Sequence, residues 1–232
     1  MRGPGSVRVF EGGKSPAAGK AGRRRPTQSR ARATADAIRQ AFIQLLVENG
    51  YDKVTIRQVI NLAGVGIGSF YEYFPSKEGL AAVCVHLRVK AITASMRQCI
   101  DATRDEPLPD RVDALLLAQT AAPLAAPAEW AALFLVERQV SGIEAYRRLY
   151  GEFVQLWSDA LTTGNGWPAG ASATEAAFVA HAVTYGLVSQ TLMTAPEAKP
   201  DPATMRRLLR NAVHGHLSIL APQAYRLYRF DG

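Results

Sequence analysis

Cysteine is scarce in this sequence, which has two in 232 residues, Cys84 and Cys99. Two cysteines in one helical pattern form neither a disulfide framework nor a metal-binding motif. We therefore expect no structural metal, and a reducing cytoplasm is the expected location. The N-terminus is basic but has no apolar segment behind it, so no secretory signal is expected either.

Long hydrophobic runs are also missing. The richest apolar stretch, residues 121–136, is interrupted by Pro123, Pro127 and Glu129, whereas a membrane helix needs about 18 or more apolar residues in a row. We therefore expect no membrane span and no membrane partner. The phosphate-binding loop, the dinucleotide fingerprint, the HExxH zinc motif and the GxSxG motif are absent as well. These absences argue against an enzyme, and no catalytic residue, metal ligand or cofactor is predicted.

Acidic residues are almost missing from the first 32 residues, where Glu11 stands against nine Arg or Lys residues. The whole chain carries a net charge of +7, so this segment holds +8 and residues 33–232 hold −1. The basicity is therefore a tail and not a patch on the fold. Because residues 1–32 are rich in Gly, Pro, Ser and Arg and poor in large apolar side chains, they are predicted to form a disordered basic arm.

The rest of the chain has helical periodicity. Apolar residues make up 48% of the sequence and recur three and four residues apart, while strict alternation is missing. The predicted fold class is therefore all-α, with about nine helices. Three short helices and a long connector helix over residues 76–100 come first, and helices near 110–121, 128–141, 143–163, 173–194 and 203–220 form a larger body. Pro123 and Pro127 are among the predicted breaks.

The most informative stretch is residues 55–77, TIRQVINLAGVGIGSFYEYFPSK. Thr55 followed by Gln58 has the form of a capping box, so a short helix is expected directly after Thr55. Gly64 ends that helix, because glycine adopts the positive φ that a tight turn needs. A second short helix is expected over residues 66–74. Two short helices around a glycine-containing turn make a helix-turn-helix, whose second helix enters the major groove of DNA.

The candidate DNA contacts each have a chemical reason. Ile67 can touch a thymine methyl group, and Ser69 can hydrogen-bond a base edge or a phosphate. The hydroxyls of Tyr71 and Tyr73 can reach phosphates, and Lys77 opens the next helix, where backbone N–H groups favour an anion. Phe70 and Phe74, one turn apart, are expected in the core. The full candidate set is Thr55, Arg57, Gly66, Ile67, Gly68, Ser69, Tyr71, Tyr73, Lys77, Arg30 and Arg32.

Residues 34–80 resemble the DNA-binding domain of the tetracycline-repressor (TetR/AcrR) family of bacterial regulators. The similar positions run in register without gaps: Ile38, Ala41, Gly50, Tyr51, Thr55, Ala63, Gly64, Val65, Tyr71, Phe74, Ser76, Lys77 and Leu80. Ile67 departs from the pattern, since the family often has Lys or Arg there. The resemblance implies a homodimer with a three-helix head, a connector helix and a helical ligand-binding body, with operator DNA and a small-molecule effector as partners.

Four domains follow from the resemblance and the composition. They are a basic arm over residues 1–32, a helix-turn-helix head over 33–80, a ligand-binding and dimerisation body over 81–222, and a tail over 223–232. The head contains four basic and five acidic residues, which is poor for attracting phosphates. The arginines just before the first helix, which include Arg30 and Arg32, are expected to compensate by reaching the DNA backbone or minor groove.

Aromatic residues recur through the body, and Tyr146, Tyr150, Phe153 and Trp157 share one helical face. Such a stripe is either ordinary core or one wall of a pocket for an apolar or aromatic effector, since ligand pockets are mostly apolar with a few polar anchors. Both readings remain open at this stage. The candidate ligand-binding residues are Trp130, Phe134, Glu137, Arg138, Tyr146, Tyr150, Phe153, Trp157, Phe178, His181 and Tyr185.

The last two predicted helices each carry a stripe of small and apolar residues. These stripes either pack within one chain or pair with a second copy as a four-helix interface under two-fold symmetry, and the resemblance favours the homodimer. The candidate interface residues are Val179, Val183, Gly186, Leu187, Met205, Leu208, Leu209, Ala212, Val213, His216 and Leu217.

The predicted function is a DNA-binding transcriptional regulator, namely a repressor that an effector in the body releases from a pseudo-palindromic operator. Two alternatives stay open. The lack of a charge at Ile67, which removes a possible phosphate or guanine contact, and the acidic head also suit a helical ligand-binding protein whose head has lost sequence-specific DNA binding. The basic arm by itself would suit a nucleoid-type protein that binds DNA regardless of sequence.

Overall fold

The computed structural model of the chain describes residues 24–194 and 201–229, with the side chains of residues 24–28 excepted. Nine α-helices and one short 3-10 turn make up the regular structure of these ranges, which confirms the all-α class. The helices are α1 (Arg24–Asn49), α2 (Ile56–Ala63), α3 (Ile67–Tyr73), α4 (Lys77–Ala102), α5 (Leu108–Ala125), α6 (Pro127–Val140), α7 (Ile143–Thr162), α8 (Ala173–Thr194) and α9 (Pro202–Leu220).

The first helix is longer than the sequence pattern predicts. It begins at Arg24 instead of Thr34, so the part of the predicted disordered arm that the structure describes is helical. The Thr34 hydroxyl donates a hydrogen bond to the carbonyl of Arg30 at 3.0 Å, as it does inside a helix. Arg, Gln and Ala are good helix formers, and Pro26 lies in the first turn, where proline is tolerated. The arm's residues 1–23 lie outside the described residues.

The head packs around a small aromatic and aliphatic core. Ile38 and Phe42 of α1 and Phe70 of α3 are fully buried. The rings of Phe70 and Phe74 lie 6.0 Å apart, centroid to centroid, and Phe74 is also buried, which confirms the prediction for both. Burying three large side chains of this kind contributes roughly 1.5–3 kcal/mol each, so the short α2 and α3 depend on tertiary packing.

The body is a layered bundle in which α4 packs against α5, α6 and α7, and α8 packs against α6, α7 and α9. Among the described helices, α4 alone is long and apolar enough to cross a membrane by length and composition. Nine of its residues are buried against the other helices, as they are in a core helix. α1 also contacts α6, so the head touches the body at two places, through α4 and through α6.

The two prolines that were predicted as breaks have different roles. Pro127 begins α6 and so marks a break, as expected. Pro123 was expected to be a break too, but it lies inside α5, which continues to Ala125. A proline in a helix removes one backbone hydrogen bond. The loss is tolerated here because Pro123 is buried and lies in the last turn.

A buried arginine joins the start of α5 to the end of α7. Arg111 is 2% exposed and donates hydrogen bonds only to carbonyl oxygens: those of Glu106 (2.8 Å), Asn165 (3.0 Å), Ala160 (3.3 Å) and Leu161 (3.4 Å). The Ala160 and Leu161 carbonyls belong to the last turn of α7, whose partial negative charge favours a cation. Arg111 therefore caps α7 from a neighbouring helix.

The C-terminal segment belongs to the body as far as the structure describes it. Residues 223–232 were predicted to be a tail, but Tyr225 is buried and its hydroxyl lies 2.9 Å from His214 Nδ1. The other ring nitrogen of His214 lies 2.8 Å from Asp113, and Arg210 donates two hydrogen bonds to the same carboxylate, at 2.8 and 3.0 Å. Burial alone would raise the pKa of Asp113, but these bonds hold it below its ordinary value. This network fastens α9 and the segment after it to α5.

Candidate DNA-binding surface and ligand pocket

The turn between α2 and α3 has the geometry that the sequence predicts. Thr55 caps α2 through a complete capping box: its hydroxyl accepts a hydrogen bond from the Gln58 N–H at 3.3 Å, and its own N–H donates to Gln58 Oε1 at 2.9 Å. Gly64 has φ 67°, in the left-handed region. The N–H of Val65 then bonds to the Ile60 carbonyl at 3.0 Å, which closes the end of α2.

The outer face of α3 is exposed. Ile67 is 50% and Tyr71 is 55% exposed, and they lie one turn apart on the same face. Gly66 and Gly68 are exposed beside them, and a Cβ added at either position would meet nothing within 4 Å. Neither glycine has a positive φ. The fold of this chain therefore does not require glycine at these two positions, whereas close approach to another surface would.

The other predicted DNA contacts differ in solvent exposure and in whether their side chains already have a partner within the head. Arg57, Arg30 and Arg32 are exposed. Ser69 and Tyr73 are half-buried, and the Thr55 side chain is engaged in the cap described above. Lys77 is held within the head, because its ammonium donates to the Tyr51 carbonyl at 3.1 Å and lies 4.3 Å from the centre of the Tyr51 ring.

Residues 38–84 match the family model described as "Bacterial regulatory proteins, tetR family". This segment is a DNA-binding domain of the TetR family. The match covers the end of α1, the whole helix-turn-helix and the first turns of α4. It confirms the resemblance noted in the sequence and makes the chain a DNA-binding transcriptional regulator. No curated protein sequence matches the chain.

Solved structures share the whole architecture. The fatty acid degradation regulator FadR from Bacillus halodurans superposes with a TM-score of 0.65 at 16% identity, over 79% of this chain and 94% of FadR. A protein from Pseudomonas aeruginosa PAO1 described as a transcriptional regulator gives 0.66 at 21% identity, over 89% and 97%. FadR from Bacillus subtilis, solved in complex with stearoyl-CoA, gives 0.58 at 16% identity, over 80% and 97%. These similarities establish the TetR-like fold of head and body together.

A cavity of about 60 Å³ lies in the body among α4, α5, α6, α7 and α8. It brings together eight of the eleven predicted ligand-binding residues: Trp130, Phe134, Glu137, Tyr146, Tyr150, Phe153, His181 and Tyr185. The aromatic stripe of α7 therefore lines a cavity over most of its length, and that an effector binds there stays a prediction.

Three predicted ligand-binding residues lie elsewhere. Trp157 is fully buried behind the wall, where its indole N–H donates to Gln119 Oε1 at 2.7 Å. Phe178 is 54% exposed and does not line the cavity; its ring centroid lies 6.0 Å from that of Tyr150. Arg138 is exposed to solvent at the end of α6. Helical periodicity placed these residues on the correct helices but could not tell the cavity side of a helix from its other sides.

Sequence reasoning missed the cavity residues that α4 and α5 contribute. These residues are mostly aliphatic or small and give no signal beyond that of ordinary core. They are Val85, Arg88, Val89 and Ile92 of α4, and Gln119, Thr120 and Pro123 of α5. Leu133, Leu149, Thr184 and Val188 of the other helices also line the cavity. The amide of Gln119 was the one hint in the sequence that this part of α5 is more than ordinary core, because a buried amide is rare without partners.

Two polar groups stand out among the aromatic walls. Glu137 is 7% exposed, and the Tyr185 hydroxyl donates to its Oε2 at 3.2 Å. Burial raises the pKa of Glu137, although that hydrogen bond and Arg138 act in the opposite direction. His181 is 1% exposed, and burial lowers its pKa to about 4. The imidazole is therefore neutral at physiological pH.

The tautomer of His181 follows from its neighbour. Gln119 Oε1 already accepts from Trp157, so the amide nitrogen of Gln119 is the end that faces His181 Nδ1, at 3.2 Å. An amide nitrogen can only donate, so Nδ1 accepts and the neutral ring carries its proton on Nε2. The ring is stacked on Phe153, with centroids 4.9 Å apart and planes 6° apart.

The predicted dimer residues divide into two groups. Met205, Leu209, Val213 and Leu217 are buried within the protomer, where α9 packs on α5 and α8, so they belong to its own core and not to a surface. The prediction for these four is corrected, because the single stripe read from the sequence spans both the core-facing side of α9 and its outer side. The remaining seven are partly or fully exposed: Val179, Val183, Gly186, Leu187, Leu208, Ala212 and His216.

Proposed function

We propose that this TetR-family regulator is a repressor that binds a pseudo-palindromic operator as a homodimer and is released when an effector enters the body. The observation that carries the proposal is that the cavity and the head share one element, helix α4. Val85, Val89 and Ile92 of α4 form part of the cavity wall, while Lys77 in its first turn bonds to Tyr51 of the head.

The size of the cavity supports coupling between effector binding in the body and the position of the head. At about 60 Å³ it is far smaller than the roughly 300–1,000 Å³ of typical ligand pockets. An effector of ordinary size therefore has to push the walls apart, and α4 is one of those walls. A displacement of α4 changes the position of the head. An effector that binds the displaced state more tightly shifts the population towards it.

A second connection runs through α6. Arg88 of α4, which lines the cavity, donates to Glu129 of α6 at 2.6 Å, and α6 also packs against α1 of the head. The two helices that join head and body are therefore tied to each other next to the cavity. Both would respond to the same ligand.

On DNA, we place α3 in the major groove with Ile67 and Tyr71 towards the bases and backbone. The two heads of a dimer would then occupy half-sites about 34–36 Å apart, one turn of DNA. Ile67 supplies an apolar contact to a thymine methyl group instead of a charged one. Arg30 and Arg32, exposed on α1, supply positive charge that the acidic head lacks.

For the dimer, we propose the outer face of α8 and α9, formed by Val179, Val183, Gly186, Leu187, Leu208, Ala212 and His216. This face remains accessible after α9 has packed on α5 and α8. Ile219 at the end of α9 is 78% exposed, which extends the apolar surface. A two-fold axis between such faces buries the same residues on both copies.

Sequencing of genomic fragments captured by the purified full chain tests the proposal. We expect a motif with two-fold symmetry, and loss of that motif with Tyr71→Ala. Capture without a motif, with steep salt dependence, would instead indicate sequence-blind binding through the basic arm. Absence of any capture would contradict the operator and favour a ligand-binding protein whose head no longer reads DNA.

A further inference from the structure

We propose that the pocket is built for a lipophilic cation, with Glu137 as its counter-ion and the surrounding aromatic rings as its cage. This inference rests on the proposed effector site and names the chemical class of the effector. It follows from three features of the described cavity lining: an acid without an internal partner of opposite charge, the neutral state of His181, and the arrangement of the rings.

The first feature is the carboxylate. Glu137 lies on α6 with 7% of its surface exposed and lines the cavity. Among the described residues, its one hydrogen bond comes from Tyr185, to Oε2. A carboxylate can accept about four hydrogen bonds, so most of this capacity is unused. A buried acid with one partner is costly for folding alone, and a ligand that completes its interactions explains why it is there.

The second feature is the lack of positive charge inside the cavity. Arg88 lines the cavity but is 47% exposed at its side chain and is paired with Glu129. Arg138, next to Glu137 in sequence, acts to lower the pKa of Glu137 and contacts Tyr185, but it is exposed to solvent at the end of α6 and does not line the cavity. His181 is neutral, as shown above. Among the described residues, the interior of the pocket therefore holds one acidic group and no buried positive charge.

The third feature is a continuous belt of rings. Neighbouring centroids lie 5.6 Å apart for Trp130 and Phe134, 5.6 Å for Phe134 and Tyr185, 5.9 Å for Tyr185 and His181, and 4.5 Å for His181 and Tyr150. The belt thus runs from α6 across α8 to α7. Aromatic faces attract cations and do so most strongly away from water.

These features favour a positively charged ligand over a neutral or a negatively charged one. A cation gains from Glu137 and from the ring faces, while an apolar body fills the cavity walls. A neutral molecule of the same shape gains only the apolar contacts. An anion would be buried beside a carboxylate with no cation to accept it, which is strongly unfavourable. The pocket is therefore unsuited to the carboxylate or phosphate groups of an acidic lipid.

The test uses three probes of one shape: benzyltrimethylammonium, the neutral isostere neopentylbenzene and the anion phenylmethanesulfonate. Each is titrated into the full chain without DNA by calorimetry, with the same small amount of cosolvent. We expect the ammonium to bind at least tenfold more tightly than the neutral isostere, and the sulfonate not to bind. Glu137→Gln should lower the ammonium affinity to that of the neutral isostere and leave the latter unchanged.

A matched control is Glu144→Gln, which removes an acid on the exposed surface of α7 and should keep the full preference for the cation. The melting temperature of each variant verifies folding. Equal or tighter binding of the neutral isostere, binding of none of the probes, or a cation preference that survives in Glu137→Gln would overturn the proposal. Because binding is measured without DNA, a cation that binds as expected but leaves an operator complex intact would contradict the release mechanism and not the cation site.

Discussion

The head and the body of this regulator use their polar side chains in opposite ways. In the head, polar side chains cap the N-termini of helices at the surface. Thr55 and Gln58 cap α2, and the Ser76 hydroxyl accepts a hydrogen bond from the Gly79 N–H at 3.1 Å at the start of α4. In the body, polar groups are buried between helices, as with Arg111, Gln119 and His181.

This difference has a functional consequence. The N-terminal helix caps of the head use partners within three residues, and the outer face of α3 stays exposed for another molecule. The body satisfies Arg111 and Gln119 through contacts between distant helices, while Glu137 in the pocket keeps unused capacity. A ligand can therefore alter packing in the body more readily than in the head, which suits a head that reads DNA and a body that responds. Four predictions test this contrast.

The largest expected effect is the loss of stability in Arg111→Met. The variant keeps the long side chain but leaves four carbonyl oxygens of Glu106, Asn165, Ala160 and Leu161 without their donor. We expect unfolding free energy to fall by about 4 kcal/mol, since each unsatisfied buried acceptor costs about 1–3 kcal/mol. Urea unfolding followed by circular dichroism measures it. Arg104→Met, on an exposed side chain, is the control, and a similar loss in both variants would contradict the role of Arg111.

Next is the pH dependence contributed by His181. Its pKa is about 4 when folded and about 6.5 in an unfolded chain. The unfolded state therefore binds the proton first, so this contribution to stability is complete above pH 6.5 and is lost as the pH falls towards 4. The unfolding free energy lost through this protonation is about 3 kcal/mol in total. Urea titrations between pH 4 and 7 give the unfolding free energy at each pH. Its change with pH should be smaller in His181→Gln than in the wild type, and an identical change in both would argue against a buried neutral imidazole.

A smaller effect, confined to the head, is expected for Tyr71→Ala. Tyr71 is 55% exposed, so its loss should leave the melting temperature almost unchanged. Operator affinity should fall by about tenfold or more, equivalent to roughly 1–3 kcal/mol for one base or phosphate contact. Fluorescence anisotropy with operator DNA measures it. Wild-type affinity in this variant would show that α3 is not the helix that faces DNA.

The smallest effect has opposite signs for stability and function. Gly68→Ala places a methyl group on α3 where nothing lies within 4 Å, and alanine in a helix is more stable than glycine by about 0.5–1 kcal/mol. We expect higher stability together with weaker operator binding, because the added methyl group stands between α3 and the groove. Gly151→Ala on α7, where a Cβ also meets nothing within 4 Å, should gain similar stability without loss of operator affinity. Equal operator affinity in both variants would contradict the inference that α3 approaches DNA closely at Gly68.

Interactions between neighbours in the chain could be predicted in detail. The capping box of Thr55 and Gln58, the left-handed Gly64 and the Ser76 cap involve partners at most four residues apart. The limits of α6 to α9 were also predicted within one or two residues. The errors arose where local rules compete: residues 24–32 have a composition typical of disorder but good helix propensity, and the break expected at Pro123 is prevented by packing around α5.

The sequence by itself determined the helical class, the helix-turn-helix and its exposed face, and the aromatic residues of the pocket. These properties depend on periodicity and on side-chain chemistry that is written locally. Only the tertiary structure decided that Gln119 and the α4 residues join the cavity, that Trp157 lies behind it, and that one stripe of α9 is core. The physical reason is that a cavity is the space left among five packed helices, and which face of each helix borders it depends on how all five are rotated and placed.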